Sequence, residues 1–198
     1  MGLDNIEKVF SQTIKELKNE GRLRSKEFII TKVKRPEGNK GPRYFLKGKE
    51  EQEFIRMNSN SYLGMSLRNE IIEEEEKMTR EYGVGPGAVR FISGTFKTHR
   101  ELEKKLATFH GRDGAMLFNS AYSTVVGILT PLITGDTIVI SDELNHNCII
   151  NALRLSRPKD KKIYKHLDMN ELKEKIKESI GQAKRLIIVT DDIFSMRG

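Results

Sequence analysis

Little in this sequence can be crosslinked, metallated or inserted into a bilayer. One cysteine, Cys148, stands among 198 residues, which excludes an internal disulfide and fits a reducing compartment, the cytoplasm. Tryptophan is absent, and the four histidines, His99, His110, His146 and His166, show no metal-ligand spacing, so no metal is expected. The longest apolar run, Val125 to Ile133, contains Pro131. It falls far short of the roughly 20 apolar residues a spanning helix needs, so no membrane partner is expected. The N-terminus carries no signal-peptide pattern.

What is abundant is charge. Charged residues make up 32% of the chain and apolar residues 37%, with a net charge of +7, the balance of a soluble globular protein with a highly charged surface. Such an excess admits a polyanion partner, either nucleic acid or a phosphorylated or CoA-type substrate. Most lysines, however, interleave with glutamates, as in Glu171-Leu-Lys-Glu-Lys-Ile-Lys-Glu178, which reads as solvated helix faces. No basic run is interleaved with aromatics, so no nucleic acid is expected.

The periodicity divides the chain. Ile6, Val9, Phe10, Ile14 and Leu17 mark an amphipathic helix stopped by Gly21. Strand-like pieces follow at Phe28–Ile30, Tyr44–Leu46 and Phe54–Met57, with a hairpin turn at Lys47-Gly-Lys49. Residues 1–58 therefore read as an N-terminal helix with a small antiparallel sheet, and residues 59–198 as a second domain. A helix is expected over 68–82, then a glycine-rich loop, Gly83-Val-Gly-Pro-Gly-Ala88, and a helix opened by a capping box at Thr98 and Glu101. From Gly114 onward strands (115–118, 137–141, 162–165, 185–190) alternate with helices (122–134, 146–156, 169–180), the last with a capping box of Asp168 and Glu171. That alternation predicts βαβ units and a parallel sheet, an α/β fold.

In such sheets ligands sit at the carboxyl ends of the strands. Ser120–Tyr122, Ser141–His146 and Thr190–Ser195 all fall there. The run Phe118-Asn-Ser-Ala-Tyr-Ser-Thr-Val-Val-Gly127 leaves a strand and opens a helix, so backbone N–H groups at a positive helix end are free to hold a phosphate. Taken singly, His146 also reads as a helix cap, Ser195 as a strand-end hydroxyl and Asn60 as a turn residue.

Several motifs together resemble a known family. These are Asn60-Ser-Tyr-Leu-Gly64, Arg90-Phe-Ile-Ser-Gly-Thr95, His99-Arg-Glu-Leu-Glu103, Ser141-Asp-Glu-Leu-Asn-His146 and Thr190-Asp-Asp-Ile-Phe-Ser-Met196. They are similar to those of the α-oxoamine synthases, fold-type I pyridoxal-phosphate (PLP) enzymes that condense an amino acid with an acyl-CoA and release CO2. Their wording and spacing sit nearest glycine C-acetyltransferase, then 8-amino-7-oxononanoate synthase. The resemblance implies the large-domain portion of that fold, PLP as cofactor, a homodimer, and glycine with acetyl-CoA as substrates, or a pimeloyl-type acyl-CoA as the alternative. It implies that the backbone amides of Ala121 and Tyr122 hold the cofactor phosphate and that His146 stacks on the ring and steers the chemistry. It further implies that Ser195 bonds the phenolic oxygen and Asn60 binds the amino-acid carboxylate. Arg90 and Thr95 lie in a family motif without an assigned step, and Arg22 and Arg24 are candidates for the CoA phosphates.

The departures are as informative. By the resemblance, the Schiff-base lysine and the Asp that protonates the pyridine nitrogen lie beyond the final motif, inside which this sequence stops at Gly198. The C-terminal domain is expected to be absent too, so the 198 residues alone are expected to be inactive. The other reading is a lysine-less, non-catalytic partner of such an enzyme. Arg197 stands where Asp is usual, Asp192 where a small residue is common and Val125 where Asn is usual.

Overall fold

A computed structural model of the chain describes residues 3–24 and 26–194. Residues 1–87 form one compact unit and residues 88–198 another. The first unit opens with helix α1 (Leu3–Asn19), then strands β1 (Ile30–Lys34), β2 (Arg43–Leu46) and β3 (Lys49–Phe54), a 3-10 helix (Tyr62–Leu67) and α2 (Asn69–Tyr82). The strands pair antiparallel in the order β1-β2-β3. Lys47 and Gly48 form the β2–β3 turn, and Gly48 takes the positive φ of 78° that such turns demand. The residue-58 boundary lies inside this unit, where the Arg35 guanidinium donates to the Asn69 side chain at the start of α2.

The second unit contains α3 (Lys97–Phe109), α4 (Ala121–Leu132), β4 (Thr137–Asp142), α5 (Asn147–Ser156), β5 (Asp160–Tyr164), α6 (Met169–Ser179) and β6 (Arg185–Val189). The three strands are parallel, in the order β5-β4-β6, so all their carboxyl ends lie on one edge of the sheet. Val139 of β4 sits between Lys161 of β5 and Ile187 of β6. Every residue of β4 is buried, as a strand covered on both faces should be. Ile133, Val139, Cys148, Ile149 and Leu153 form the core, with Val125 and Leu129 of α4 packed against it. Tyr122 Oη accepts from Asn151 Nδ2 at 2.9 Å, and Ser156 Oγ donates to Leu129 O at 3.4 Å. Helices α4 and α5 therefore run side by side in the same direction, both starting at the carboxyl edge of the sheet.

Four expectations fail for identifiable reasons. Residues 115–118 are not a strand: among the described residues no strand pairs with them, and the Leu117 N–H donates instead to a Glu103 carboxylate oxygen at 3.1 Å. Helix α3 does not open on a Thr98–Glu101 box. It starts at Lys97, and His99 reaches back so that its Nδ1 accepts the Phe96 N–H at 3.0 Å. The imidazole does there what Glu101, two residues later, was expected to do. At α6, Asp168 caps Asn170 and Glu171 as expected, but the Glu171 carboxylate accepts from Lys165 N rather than from the cap residue. The strand expected at 28–30 forms mostly later, at Ile30–Lys34, leaving Phe28 82% exposed.

Candidate active site

The carboxyl edge of the parallel sheet is built from the loops after β4, β5 and β6. Asn145, 4% exposed, ties two of them together. Its Nδ2 donates to Ser141 Oγ at 2.9 Å and to Val189 O at 2.7 Å, and its Oδ1 accepts from Asp191 N at 2.9 Å. The Asp191 carboxylate in turn accepts from His146 N at 2.7 Å. The backbone of His146 is thus seated by a residue that follows the neighbouring strand. A buried amide that uses both donors and its acceptor fixes the loop geometry, because any other conformation would strand polar groups away from water.

The His146 ring projects from this seat and is exposed. It caps α5, its Nδ1 accepting from Cys148 N at 3.2 Å with Cys148 Sγ at 3.0 Å. The capping role open to it in the sequence is therefore real, and it leaves the other ring edge outward. The third loop joins through His166, whose Nδ1 lies 3.1 Å from both oxygens of the buried Asp142. The His166 ring meets Phe194 edge-on, with centroids 4.4 Å apart. Below them Tyr164, 3% exposed, has its phenol pushed up from its ordinary value, chiefly by burial.

Helix α4 opens on the same edge. Ser120 caps it, accepting from Ser123 N at 3.1 Å, and Thr124 N donates to Ser120 O at 3.0 Å. The N–H groups of Ala121 and Tyr122 have no acceptor among the described residues. A helix start presents such orphan donors at its positive end, and an anionic oxygen satisfies both terms at once. The Tyr122 hydroxyl is already engaged by Asn151, which leaves its N–H as its contribution to an anion. The residues present therefore fit a phosphate group.

Arg90 and Thr95 serve the scaffold. Arg90 Nη1 lies 2.6 Å from Glu103 Oε1, and Thr95 Oγ1 donates to Arg90 O at 2.7 Å. Arg100 reaches the other Glu103 oxygen at 2.8 Å. The Arg90 bond first, then the Leu117 N–H, holds the Glu103 carboxyl down at about 2. This buried carboxylate pins the segment leading into α4. Gly94 closes the Arg90 loop, where a Cβ would meet Ala88 O at 2.0 Å, so no other residue fits.

Asn60 lies in the first unit, exposed, its carbonyl accepting from Tyr62 N at 2.9 Å. Ser195 lies outside the described residues. Ala121 and Tyr122 stand at the start of α4 and His146 at the start of α5, both in the second unit. The structure adds Asn145, Asp191, Asp142 and His166, to which the sequence reading gave no role. Their signal was available: small polar or acidic residues directly after buried strands have only one another to pair with.

Residues 52–198 match the family model for aminotransferase class I and II. The chain belongs to that family. Members of the family are pyridoxal-phosphate enzymes, as expected, and the α/β fold expected for the large domain is the one found. Within it, the chain is 43% identical over 166 residues to 8-amino-7-oxononanoate synthase 1 of Bacillus velezensis, covering 84% of this chain and 41% of that protein. It is 38% identical over 195 residues to the 8-amino-7-oxononanoate synthase of Fervidobacterium nodosum, covering 96% and 46%. The serine palmitoyltransferase of S. paucimobilis shares the fold, with a TM-score of 0.76 at 21% identity over 94% of this chain and 46% of that one. The chain thus spans less than half the length of each of these proteins. Glycine C-acetyltransferase, the expected nearest member, is not specifically supported by these matches. No helix of the described residues is long and apolar enough to cross a membrane.

Proposed function

We propose that the protein to which these residues belong condenses an amino acid with an acyl-CoA, with PLP as cofactor, and that residues 59–198 form the cofactor-binding portion. The observation that carries this is the pair of unpartnered N–H groups at Ala121 and Tyr122, on the same sheet edge as His146. The family match, which starts at residue 52, supports the portion assigned. Bound there, PLP supplies an electron sink for charge developing at the amino-acid Cα. The chain's own residues do the rest by binding and orientation. Ala121 and Tyr122 hold the phosphate by backbone donors and the α4 dipole, and His146 presents its ring to the cofactor. Asn60 takes the amino-acid carboxylate, and Ser195 the phenolic oxygen.

The relatives favour a dicarboxylic acyl chain. Their named product is a nine-carbon acid bearing a ketone next to an amine-bearing carbon. Alanine, after loss of CO2, and a pimeloyl-type thioester give that skeleton. The substrates are therefore alanine and pimeloyl-CoA rather than glycine and acetyl-CoA, and the protein acts as a homodimer. Arg22 and Arg24 remain proposed contacts for the CoA phosphates.

The test is CoA thiol release by the protein with each pair of substrates, with borohydride reduction to ask whether PLP becomes fixed covalently. Release dependent on alanine and faster with pimeloyl-CoA is expected. Faster release with glycine and acetyl-CoA would overturn the substrate assignment. No release and no fixed PLP would leave the second reading, a non-catalytic partner of such an enzyme.

A further inference from the structure

We infer that Cys148 fixes His146 in the tautomer with its proton on Nε2, which makes Cys148 a positioning residue for the reaction proposed above. The mechanistic half rests on that reading; the tautomer does not. Two donors converge on His146 Nδ1, the Cys148 N–H at 3.2 Å and the Cys148 thiol at 3.0 Å. A backbone N–H can only donate, so the nitrogen that receives it must offer its lone pair, and a neutral imidazole then carries its proton on the other nitrogen. Cys148 itself is 6% exposed and belongs to the core cluster, so it cannot turn away without opening the packing around it. Asp191 holds the backbone of His146 and Cys148 holds the ring. At its exposed edge the neutral ring offers a hydrogen-bond donor and no lone pair, so in this state His146 can orient an acceptor but cannot take a proton there.

The chain carries its own standards. His99 Nδ1 accepts the Phe96 N–H at 3.0 Å and must share the His146 tautomer. His166 Nδ1 faces two carboxylate oxygens at 3.1 Å, which only accept, and must carry a proton on Nδ1.

The experiment is nitrogen NMR of the whole protein labelled with 15N-histidine, recorded without cofactor or substrate and assigned with His146→Gln. An unprotonated Nδ1 at His146 and His99 and a protonated one at His166 are expected. A protonated His146 Nδ1 beside a His99 that behaves as stated overturns the inference. In Cys148→Ala the His146 Nδ1 signal should move downfield as it loses the thiol donor, and Cys148→Ser should restore it. An unmoved signal removes the thiol from the mechanism. Turnover in Cys148→Ala should fall about fivefold in kcat at unchanged KM, the scale of one modest hydrogen bond, with rescue by serine. If the wild type has no acyl-CoA turnover while the tautomers read as stated, the proposed function has failed and the tautomer assignment has not.

Discussion

Strand β1 exposes every residue it has, and β4 exposes none. Both belong to three-stranded sheets, yet the antiparallel sheet buries one side chain, Tyr44, whereas the parallel one holds the core. The difference follows from connection. β2 and β3 are joined by a two-residue turn and register locally, so their hydrogen bonds form without much apolar burial. Parallel strands need helical crossovers, and those helices cover the sheet and deliver all the strand ends to one edge. Chemistry gathers at the buried sheet because only there are loops held by residues that have nowhere else to pair.

Substitutions in matched positions of the two sheets should break or sharpen this contrast. Ile140→Ala removes a fully buried side chain from β4 and should cost about 3 kcal/mol, read by denaturant unfolding. Val33→Ala in β1, already 39% exposed, should stay within about 0.5 kcal/mol. Equal losses would dissolve the comparison. Next, Asn145→Ala strands Val189 O and Asp191 N and should cost about 2 kcal/mol, with loss of turnover beyond any loss of fold. Turnover at the wild-type level in Asn145→Ala would show that the clasp does not seat His146. Removing the Ser120 cap of α4 with alanine should cost about 1 kcal/mol and weaken retention of phosphate or PLP.

Glu103 sharpens the contrast in its pH dependence. Its folded value, about 2, lies below the ordinary 4.5, so its contribution is present above pH 4.5 and lost as pH falls toward 2. Glu103→Gln should therefore flatten the acid limb of the stability curve between those values. An acid limb as steep as the wild type's would mean the Arg90 bond is not formed in solution. The smallest effect belongs to the other sheet: breaking the exposed Lys34–Glu53 pair, 3.2 Å apart, should give no measurable change in unfolding midpoint.

Sequence periodicity located β4, α5, β5, α6 and β6 to within two residues, because a buried strand and an amphipathic helix each carry their own pattern. Residues 115–118 carry the same apolar pattern as β4 without a ladder, since apolarity records burial and not pairing. The α3 start was misplaced because a histidine can complete a cap as well as a glutamate, and composition rules weigh only the commoner residue. For the site, the helix start at Ala121 was legible from small residues after an apolar run. The Asn145 clasp was not, because two of its partners lie 44 and 46 residues away and no local signal announces which strands will be neighbours.

That separation governs the order in which the site can come into being. β4, α5 and β5 can associate as soon as they exist, through contacts close along the chain. The seat of His146 waits for residues 189–191, which arrive only after α6 has crossed and β6 has paired with β4. Loop closure over such a distance is slow relative to helix and turn formation. The histidine is therefore seated later than β4, α5 and β5, and a growing chain passes through a stage in which the sheet has begun and its chemistry has not.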